Sequence, residues 1–434
     1  MSSKFSRRSF VKTGVAATAA AATLSSISRM AHADSGTETL KIGLVGCGGR
    51  GTGAAHNALD ADPNTEIVAI ADLFEEKLAP CAAGLKEAYG DRVKLDGAQF
   101  SGFDGYKAVI DKCDVVLLCT TPFYRPIHLR AAVEAGKHVF FEKPVAVDPV
   151  GIRSVLESAE IGKQKGLTMV CGLCWRYHKG VQETMKRVLG GEIGDILAMQ
   201  ETYLTGSLWT RPRQEGDTEM RFQNRNWYYF KWLSGDFNVE QHVHSLDKAM
   251  WAMGDVPPID AWGVGARMVR TEQPIYGDVY DSMCVTYNWP NGVKCHAYCR
   301  QQPGCYSDTS DQFIGTKGVA NILNHTISDL NGKTIWKFRG HAIDMYLSEH
   351  QFMFDSIRNG KAHNDGKMGA QSTMLGILGR ESCYTGKAIT WDEIMKSDLS
   401  YAPKGFSFDD EPPFMPDADG KYVIPMPGTG NHNI

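Results

Sequence analysis

A glycine-rich turn between a short apolar strand and a helix constrains the fold of this chain most. The turn reads Gly46-Cys-Gly48-Gly49-Arg50-Gly51, a G-x-G-x-x-G pattern directly after an apolar run. In such a turn the first glycine permits the bend, the second lets the backbone approach a pyrophosphate, and the third lets the helix pack on the strand. The N–H groups at the helix start then point at the phosphates. The turn is therefore predicted to bind a dinucleotide through Gly46, Gly48, Gly49, Arg50 and Gly51.

The residues around this turn alternate between strand-like and helix-like patterns. The strand-like runs are short, apolar and β-branched: Leu40–Val45, Ile67–Ala71, Val115–Cys119, Val139–Phe141 and Thr168–Cys171. The helical segments between and after them are Gly53–Ala61, Glu75–Tyr89, Tyr106–Cys113, Pro126–Ala135 and Gly151–Lys165. Such alternation predicts βαβ units with a parallel sheet, and hence a Rossmann domain.

An acidic residue ends the second predicted strand. Asp72 follows Ile70-Ala71, at the position from which a carboxylate accepts hydrogen bonds from the adenosine ribose. A carboxylate there repels a 2′-phosphate. NAD is therefore favoured over NADP, with a flavin as a less favoured alternative.

The next core strand ends in Thr120-Thr121-Pro122, which places these residues at the carboxyl edge of the sheet, where the cofactor lies. An ordinary turn at a strand end would look the same. His128 follows on the next helix, where it either faces the nucleotide or caps the helix region. All four residues are candidates for the cofactor site.

After residue 174 longer alternating strands replace the βαβ pattern. The predicted strands are Ile196–Leu204, Ile259–Arg270, Val279–Trp289 and Val293–Arg300; the predicted helices are Lys179–Leu189, Glu240–Met253, Glu349–Asn359 and Met368–Thr385. This pattern predicts an α/β domain with a large, mainly antiparallel, open-faced sheet. Because one face of such a sheet needs cover, a homo-oligomer, a dimer or tetramer, is expected.

The predicted organisation has four parts. Residues 1–33 form a signal peptide, 34–170 the Rossmann domain, 171–400 the substrate and oligomerisation domain, and 401–434 an irregular C-terminal tail rich in Pro, Gly and Asp.

The strand Val139–Phe141 is followed by Glu142-Lys143-Pro144. A lysine at the carboxyl end of a Rossmann strand lies near the nicotinamide and suits proton transfer. Alone, this tripeptide is also compatible with a surface lysine in a turn.

These motifs together resemble the Gfo/Idh/MocA oxidoreductase family. The resemblance rests on the glycine turn, Asp72, the Thr-Thr-Pro and Glu-Lys-Pro motifs, Trp175-Arg-Tyr-His178, and Gly190-Gly-Glu-Ile-Gly194. It continues through Gly315-Thr-Lys-Gly318 and Gly386-Lys-Ala-Ile-Thr-Trp391, over nearly the whole chain after residue 33. It implies a Rossmann domain and an open-faced α/β domain, with the active site between them.

The resemblance also implies catalytic residues. Lys143 matches the lysine that binds substrate hydroxyls and assists proton transfer. Glu142 and Lys143 are both candidates for the cofactor site as well. His244 and Asp247 match the family's catalytic pattern, whereas Glu240 stands where aspartate is commoner. On one helix Glu240, His244 and Asp247 would share a face, with His244 as the acid/base oriented by a carboxylate.

His242 stands where a small residue is usual in the family. A metal site with Glu240 and His244 is conceivable, but two histidines two residues apart on a helix diverge, so no metal is predicted. An ordinary polar helix position is the other interpretation. Through this extra histidine, the chain also resembles in part the exported NAD-dependent glycosidases of the same superfamily. Those enzymes lack the Glu-Lys-Pro motif that this chain has.

A sugar-binding side is predicted from arginines and aromatic residues. Arg176 and Tyr177 follow a strand that ends near the cofactor, so Arg176 is a candidate for both cofactor and substrate. Trp227 belongs to a dense cluster of aromatic residues before Glu240. The faces of these rings could stack on sugar rings. With Lys143, His242 and His244 these residues form the predicted substrate site; core packing or a subunit contact is the alternative for the aromatics.

The N-terminus predicts export. Residues 6–12 read Ser-Arg-Arg-Ser-Phe-Val-Lys, an uncharged Ala-rich run follows, and Ala31-His32-Ala33 is an A-x-A cleavage signal. This is a twin-arginine signal, typical of proteins exported in folded form to the periplasm with a cofactor already bound. The remaining chain has 41 basic and 50 acidic residues, so general attraction to nucleic acid or anionic lipid is not expected.

Three functions are compatible with these features. The first is an exported NAD-dependent oxidoreductase that acts on a sugar with a tightly bound cofactor. The second is a redox-neutral glycosidase in which NAD oxidises the sugar, the glycosidic bond is eliminated, water adds and the hydride returns. The third, disfavoured by Lys143, His244 and Asp247 together, is a dinucleotide-binding sensor without catalysis.

Overall fold

The fold is taken from a computed structural model that describes residues 38–272 and 274–432. The predicted signal peptide lies outside the described residues. None of the helices within those two ranges is long and apolar enough to cross a bilayer.

The N-terminal part is a parallel sheet of six strands. They are β1 Leu40–Val45, β2 Thr65–Asp72, β3 Gln99–Ser101, β4 Val115–Leu118, β5 His138–Phe141 and β6 Met169–Cys171. The spatial order is β3-β2-β1-β4-β5-β6, and every neighbouring pair is parallel. The chain reverses direction across the sheet between β1 and β4, which creates the crevice where doubly wound folds bind ligands. The Rossmann prediction is confirmed.

Helices cover this sheet and continue into the second half of the chain. Those before residue 190 are α1 Gly49–Ala61, α2 Leu78–Tyr89, α3 Gly105–Ile110, α4 Arg125–Glu134, α5 Pro149–Gln164 and α6 Lys179–Leu189. Those after it are α7 Glu219–Arg225, α8 Lys231–Ser234, α9 Phe237–Glu240, α10 Val243–Ala252, α11 Met345–Arg358, α12 Gly366–Thr385 and α13 Trp391–Lys396.

The second sheet has nine strands and is almost entirely antiparallel. They are β7 Ile196–Thr205, β8 Asp260–Ala266, β9 Ser282–Asn288, β10 Lys294–Gln301, β11 Asp308–Gly315, β12 Gly318–Asn321, β13 Thr326–Asp329, β14 Thr334–Lys337 and β15 Ile389–Thr390. The order is β14-β13-β12-β11-β7-β10-β9-β8-β15, and only the β7–β10 pair is parallel. The predicted α/β domain with a large, mainly antiparallel sheet is confirmed.

The two faces of this sheet differ in their cover. On β8, a Cβ added at Gly263 or Gly265 would meet Cys383 of α12, so that face packs against a buried helix. Trp262 and Val264 point the other way and are 50% and 67% exposed. The sheet is therefore open on one side, as the alternating strand pattern predicted.

Helix α12 connects the two parts of the molecule. Arg380 is fully buried on it and donates to the carbonyl oxygens of Val147, beside the Rossmann sheet, and of Gly235, in the second domain. Glu381 is the acidic partner of that guanidinium, at 2.7 Å. Since an unpaired buried charge is costly, this ion pair fixes where the two parts meet.

The structure differs from the sequence prediction in one predicted helix and in several short elements that were not predicted, among them α7, α8, α13 and β15. The predicted helix Glu240–Met253 is two helices, α9 and α10, separated at Gln241-His242. Strands β3 and β11–β14 had no sequence prediction, because they are short or carry polar residues on both faces, as in the Asp308–Gly315 sequence.

The C-terminal segment from residue 401 to 432 contains no helix or strand, but it packs closely on the molecule. Tyr401 and Tyr422 are buried, the Tyr280 hydroxyl donates to the Pro425 carbonyl at 2.7 Å, and His432 pairs with Glu381 at 2.6 Å. The segment therefore lies along the surface of the protein as an ordered strap.

Candidate active site between the two sheets

The glycine turn is built around one close backbone approach. Gly46 has φ +103°, and a Cβ on it would lie 2.6 Å from the carbonyl carbon of Cys119 at the end of β4. A Cβ on Gly51 would overlap the carbonyl oxygen of Gly46. By contrast, Gly48 and Gly49 have no atom of the described chain within 4 Å of a Cβ position. Two glycines are thus required by packing, and two leave open space at the start of α1.

Asp72 fastens this turn to the end of β2. Its Oδ2 accepts a hydrogen bond from the Cys47 N–H at 2.7 Å, and its Oδ1 accepts one from the Phe74 N–H at 2.9 Å. Burial raises the pKa of Asp72, and the two backbone hydrogen bonds oppose that rise. Asp72 therefore shapes the loop and also lines the pocket beside it.

That pocket is formed at the carboxyl ends of β1, β2 and β4 and by the loop after β3. Asp72, Thr120 and His128, all predicted for the cofactor site, line it together. Three aromatic residues complete its wall, and the sequence analysis did not single out any of them in this role: Phe103, Tyr106 and Tyr124. Phe103 and Tyr106 follow the unrecognised β3, whereas Tyr124, two residues after Pro122, could have been found from its place at the strand end.

His128 faces this pocket as a neutral ring. Its Nδ1 lies 3.3 Å from the Thr120 hydroxyl, and the ring stacks on Tyr106 at 4.2 Å between centroids. Burial, and secondarily Arg125, lower the pKa of His128 to about 3. Of the two roles considered for His128, the structure favours the one at the nucleotide pocket.

Thr121 and Pro122 shape the adjoining edge of the sheet. Pro122 is buried and starts a single 3-10 turn, Pro122–Tyr124. The buried hydroxyl of Thr121 has no hydrogen-bond partner among the described residues. A buried polar atom without a partner is a position that a ligand can satisfy.

Arg50 and Glu142 pair with each other. The Arg50 Nε donates to Glu142, and its Nη2 donates to the buried Glu349 of α11 at 3.0 Å. Burial alone would raise the pKa of Glu142, but Arg50, Arg125 and Lys143 outweigh it and hold the pKa below its ordinary value. In this geometry Arg50 orients the Glu-Lys-Pro segment; its predicted direct contact with the cofactor stays a prediction, as does that of Glu142.

Lys143 reaches across from the Rossmann sheet to the second domain. Its Nζ donates to the Glu240 carbonyl at 2.6 Å and to Glu240 Oε1 at 2.9 Å. Both side chains are mostly buried, at 14% and 15% exposed. The structure thus joins two of the predicted catalytic residues directly.

His244 lies close to this pair. It is the second residue of α10. Its Nδ1 has no hydrogen-bond partner among the described residues. Burial, then Lys143 and Lys248, lower the pKa of His244 well below its ordinary value. His244 is therefore neutral, and its partly exposed side chain carries a buried ring nitrogen without a partner in the described chain.

The predicted grouping of Glu240, His244 and Asp247 on one helix face is wrong, because the helix breaks between α9 and α10. Asp247 instead accepts from Arg176 Nε at 3.0 Å and from the Ser372 hydroxyl at 2.8 Å. Arg176 also donates to Asp255 at 2.8 Å. This geometry gives Arg176 and Asp247 a structural role behind the site, and their predicted ligand or catalytic roles remain untested.

His242 is fully buried at the break between the helices. Its Nδ1 bonds the Asn238 side chain at 3.0 Å, and burial lowers its pKa to about 3. Its ring centroid is 6.1 Å from that of Tyr203 on β7, a residue that the sequence analysis did not identify. His242 is thus a supporting residue of the site interior, and the structure does not favour its predicted substrate contact.

The remaining predicted substrate residues differ in availability. The Tyr177 hydroxyl is used in a 2.7 Å hydrogen bond to Asp365 at the start of α12. Trp227 is partly exposed and packs edge-on against Trp209 at 5.9 Å. The structure therefore leaves Trp227, rather than Tyr177, open to a sugar ring.

The residues present fit a dinucleotide. The bare start of α1 at Gly48 and Gly49 would take the pyrophosphate, Asp72 the adenosine ribose, and the unpartnered Thr121 hydroxyl a polar group of the ligand. Lys143 and His244 would then lie on the side of the second domain.

The fold and the glycine turn define a dinucleotide-binding protein of the Rossmann type. Residues 40–170 match the model of the oxidoreductase family with an NAD-binding Rossmann fold. Over residues 40–170 this match to the Gfo/Idh/MocA family model confirms the resemblance and the prediction of NAD as the cofactor.

The curated relatives of this chain include inositol 2-dehydrogenases and a hydratase. An inositol 2-dehydrogenase of Cereibacter sphaeroides is 32% identical over 155 residues, which are 35% of this chain and only 42% of that protein. One from Pseudomonas fluorescens is 23% identical over 84% of this chain and 99% of its own length. A 2,7-anhydro-N-acetylneuraminate hydratase of Escherichia coli is 24% identical over 41% of this chain and 43% of that protein.

Among solved structures, an aldose-aldose oxidoreductase of Caulobacter crescentus in complex with glycerol superposes with a TM-score of 0.64. It is 17% identical and covers 81% of this chain and 100% of that chain. This likeness confirms the two-domain fold.

The two kinds of glycine in the turn should separate folding from cofactor binding. Gly51→Ala should lower the melting temperature as well as NADH affinity, because its Cβ overlaps Gly46 and overpacking costs about 1–3 kcal/mol. Gly48→Ala should leave the melting temperature unchanged, since its φ of −75° suits alanine, yet weaken NADH binding at least about tenfold by filling the space for the pyrophosphate. Thermal unfolding and NADH fluorescence titration would measure the two effects. Wild-type NADH affinity in Gly48→Ala would show that the pyrophosphate binds elsewhere.

Proposed function

We propose that this chain oxidises a hydroxyl group of a sugar or polyol, with NAD held tightly as the hydride acceptor. The observation that carries the proposal is the meeting of Lys143, Glu240 and His244 beside the nucleotide loop. A cationic donor, a carboxylate that orients it and a neutral imidazole are the groups that removal of a hydroxyl proton requires.

The roles of these side chains follow from their contacts. Glu240 holds the Lys143 ammonium through its carboxylate and its carbonyl, which leaves the third N–H free to donate to a substrate oxygen. His244, kept neutral, accepts the hydroxyl proton on a free ring nitrogen. Bound NAD supplies the hydride acceptor at the nicotinamide ring.

A carbohydrate-type substrate is supported by two observations. The inositol 2-dehydrogenases among the relatives are named for a polyol substrate. The partly exposed Trp227 and Trp209 offer apolar faces of the kind that stack on sugar rings.

A redox-neutral glycosidase or lyase is the second candidate. The hydratase from Escherichia coli, whose name describes addition of water to a sugar derivative, favours it. The buried position of His242 removes one of the reasons that the sequence offered for this alternative. Net oxidation is therefore the function proposed first.

We also propose that the protein is exported by twin-arginine translocation, on the basis of residues 6–33. In a bacterial host with this pathway, the full chain should appear in the periplasmic fraction as a shorter, folded species. Arg7→Lys with Arg8→Lys should leave it in the cytoplasm at full length, because the pathway recognises the arginine pair. Immunoblotting of cell fractions measures this, and periplasmic accumulation of the double variant would contradict the assignment.

We further propose that the open sheet face joins copies of this chain. Trp262, Val264, Tyr298 and Ile314 are large apolar residues exposed on it, and a contiguous apolar face of this kind marks a contact site. Light scattering should give a dimer or larger species, and Val264→Asp should shift it towards monomer. A wild-type monomer at micromolar concentration would rule this out.

The reaction is tested by absorbance at 340 nm of the purified protein loaded with NAD, as free sugars, inositols and aryl glycosides are offered in turn. We expect a lasting rise, up to one equivalent per site, because the hydride stays on the bound cofactor until an acceptor arrives. Lys143→Ala should retain NAD and lose the rise by at least about a hundredfold in rate. Lys179→Ala, which removes an exposed lysine paired with Glu183, is the matched control.

Two other results would overturn this proposal. Release of aryl groups over many turnovers without a net rise would establish the redox-neutral alternative. Bound NAD with neither a rise nor release, for all substrates, would indicate a sensor. Retained activity in Lys143→Ala would remove this lysine from the mechanism.

A further inference from the structure

The C-terminal strap passes over the rim of the nucleotide pocket. The ring of Phe408 lies 5.2 Å from that of Phe103 and 5.6 Å from that of Phe74, between centroids. The ring of Phe406 lies 6.1 Å from Phe103 and 6.3 Å from Tyr124. Phe103 and Tyr124 are two of the aromatic walls of the pocket that Asp72 lines. The strap thus packs directly behind those walls.

The wall at Phe103 has little support of its own. It belongs to the short loop between β3 and α3, next to Gly102 at φ +89°. The ring contacts of Phe103 are with Tyr124, Phe406 and Phe408. Two of these three partners come from the strap, so the position of this wall depends on the last part of the chain.

The strap is itself fixed by α7 of the second domain. The Thr218 hydroxyl, at the start of α7, donates to the Phe408 carbonyl, and the Gln223 amide donates to the Phe414 carbonyl at 2.7 Å. The Arg221 guanidinium lies 4.6 Å from the Phe408 ring centroid. The strap therefore has a defined position rather than a loose attachment.

The same helix also holds the loop that follows Asp72. Arg225 on α7 pairs with Glu76 at 2.8 Å, and its guanidinium lies 4.8 Å from the Phe74 ring centroid. Phe74 in turn contacts Phe408. The loop after β2, the Phe103 loop and the strap thus form one packed rim around the pocket.

We propose that Phe406 and Phe408 are positioning residues of the cofactor site, which hold Phe103 and Tyr124 against the adenine end of bound NAD and slow its release. This inference rests on the match to an NAD-binding family and not on the proposed reaction. The pocket beside Asp72 is the one expected to receive the adenosine half, and flat aromatic walls suit an adenine ring. Because dissociation of that half requires these walls to move, the strap controls the dissociation rate.

The test uses the holoenzyme preloaded with NADH. Phe406→Ala should raise the NADH dissociation rate about five- to tenfold, measured by fluorescence decay after mixing with excess NAD. The affinity for ADP-ribose should fall by a similar factor, whereas that for nicotinamide mononucleotide should stay unchanged. Met415→Ala is the matched control, since Met415 lies on the same strap and both residues are 45% exposed. Phe408→Leu keeps an apolar side chain but loses the ring, and should give an intermediate dissociation rate.

Two outcomes would overturn the proposal. Wild-type dissociation rates in folded Phe406→Ala and Phe408→Leu would show that the strap does not control release. Equal weakening of ADP-ribose and nicotinamide mononucleotide would indicate general loosening of the site instead. These measurements need no substrate, so a protein that binds NADH as expected but never turns over would refute the proposed reaction and leave the strap assignment in place.

Discussion

The contact between Lys143 and Glu240 is the interaction on which the candidate active site depends. Lys143 belongs to the Rossmann part and Glu240 to the second domain, and their hydrogen bonds close the gap between them. Behind Lys143, Glu142 is paired with Arg50, and Arg50 with Glu349. Charges of alternating sign therefore run from the glycine turn to the substrate side. Arg50 and Lys143 are each compensated by a neighbouring carboxylate, Glu142 and Glu240, in a largely buried region. Removal of either carboxylate would therefore leave a poorly compensated charge.

Burial lowers the pKa of three histidines in this region, but it leaves them with different roles. His128, His242 and His244 all have pKa values lowered first by burial, so each is neutral near pH 7. Only His244 combines this state with partial exposure and a ring nitrogen without a partner in the described chain. The same physical effect thus gives one potential base and two packing residues. Because His242 Nε2 also lacks a partner among the described residues, access rather than hydrogen bonding separates His244 from His242.

The sequence predicted what is encoded locally. The steric roles of Gly46 and Gly51 and the position of Asp72 at the end of β2 follow from a few neighbouring residues, because a strand, a turn and a helix start impose their own steric demands. Other features of the site depend on contacts between residues that are distant in sequence. The pairing of Arg50 with Glu349 is one, and the capture of Asp247 by Arg176, which accompanies the helix break after Glu240, is another. The periodicity of a sequence does not indicate such distant partners. Polar strands such as β11 also lack the apolar alternation by which a strand is recognised.

Through these distant contacts, residues outside the Rossmann domain help to position its nucleotide site. Glu349 orients Arg50 beside the glycine turn, Arg225 fastens the loop after Asp72, and Phe408 packs behind the pocket wall. All three lie outside the Rossmann domain in sequence, yet each acts on its nucleotide site. Loosening the second domain would therefore loosen the cofactor as well as the substrate. An enzyme that retains NAD through repeated turnover, as we propose for this chain, gains from this arrangement. The residues proposed to hold the cofactor and those proposed to hold the substrate belong to one packed unit, whether the hydride leaves to a second substrate or returns to the first.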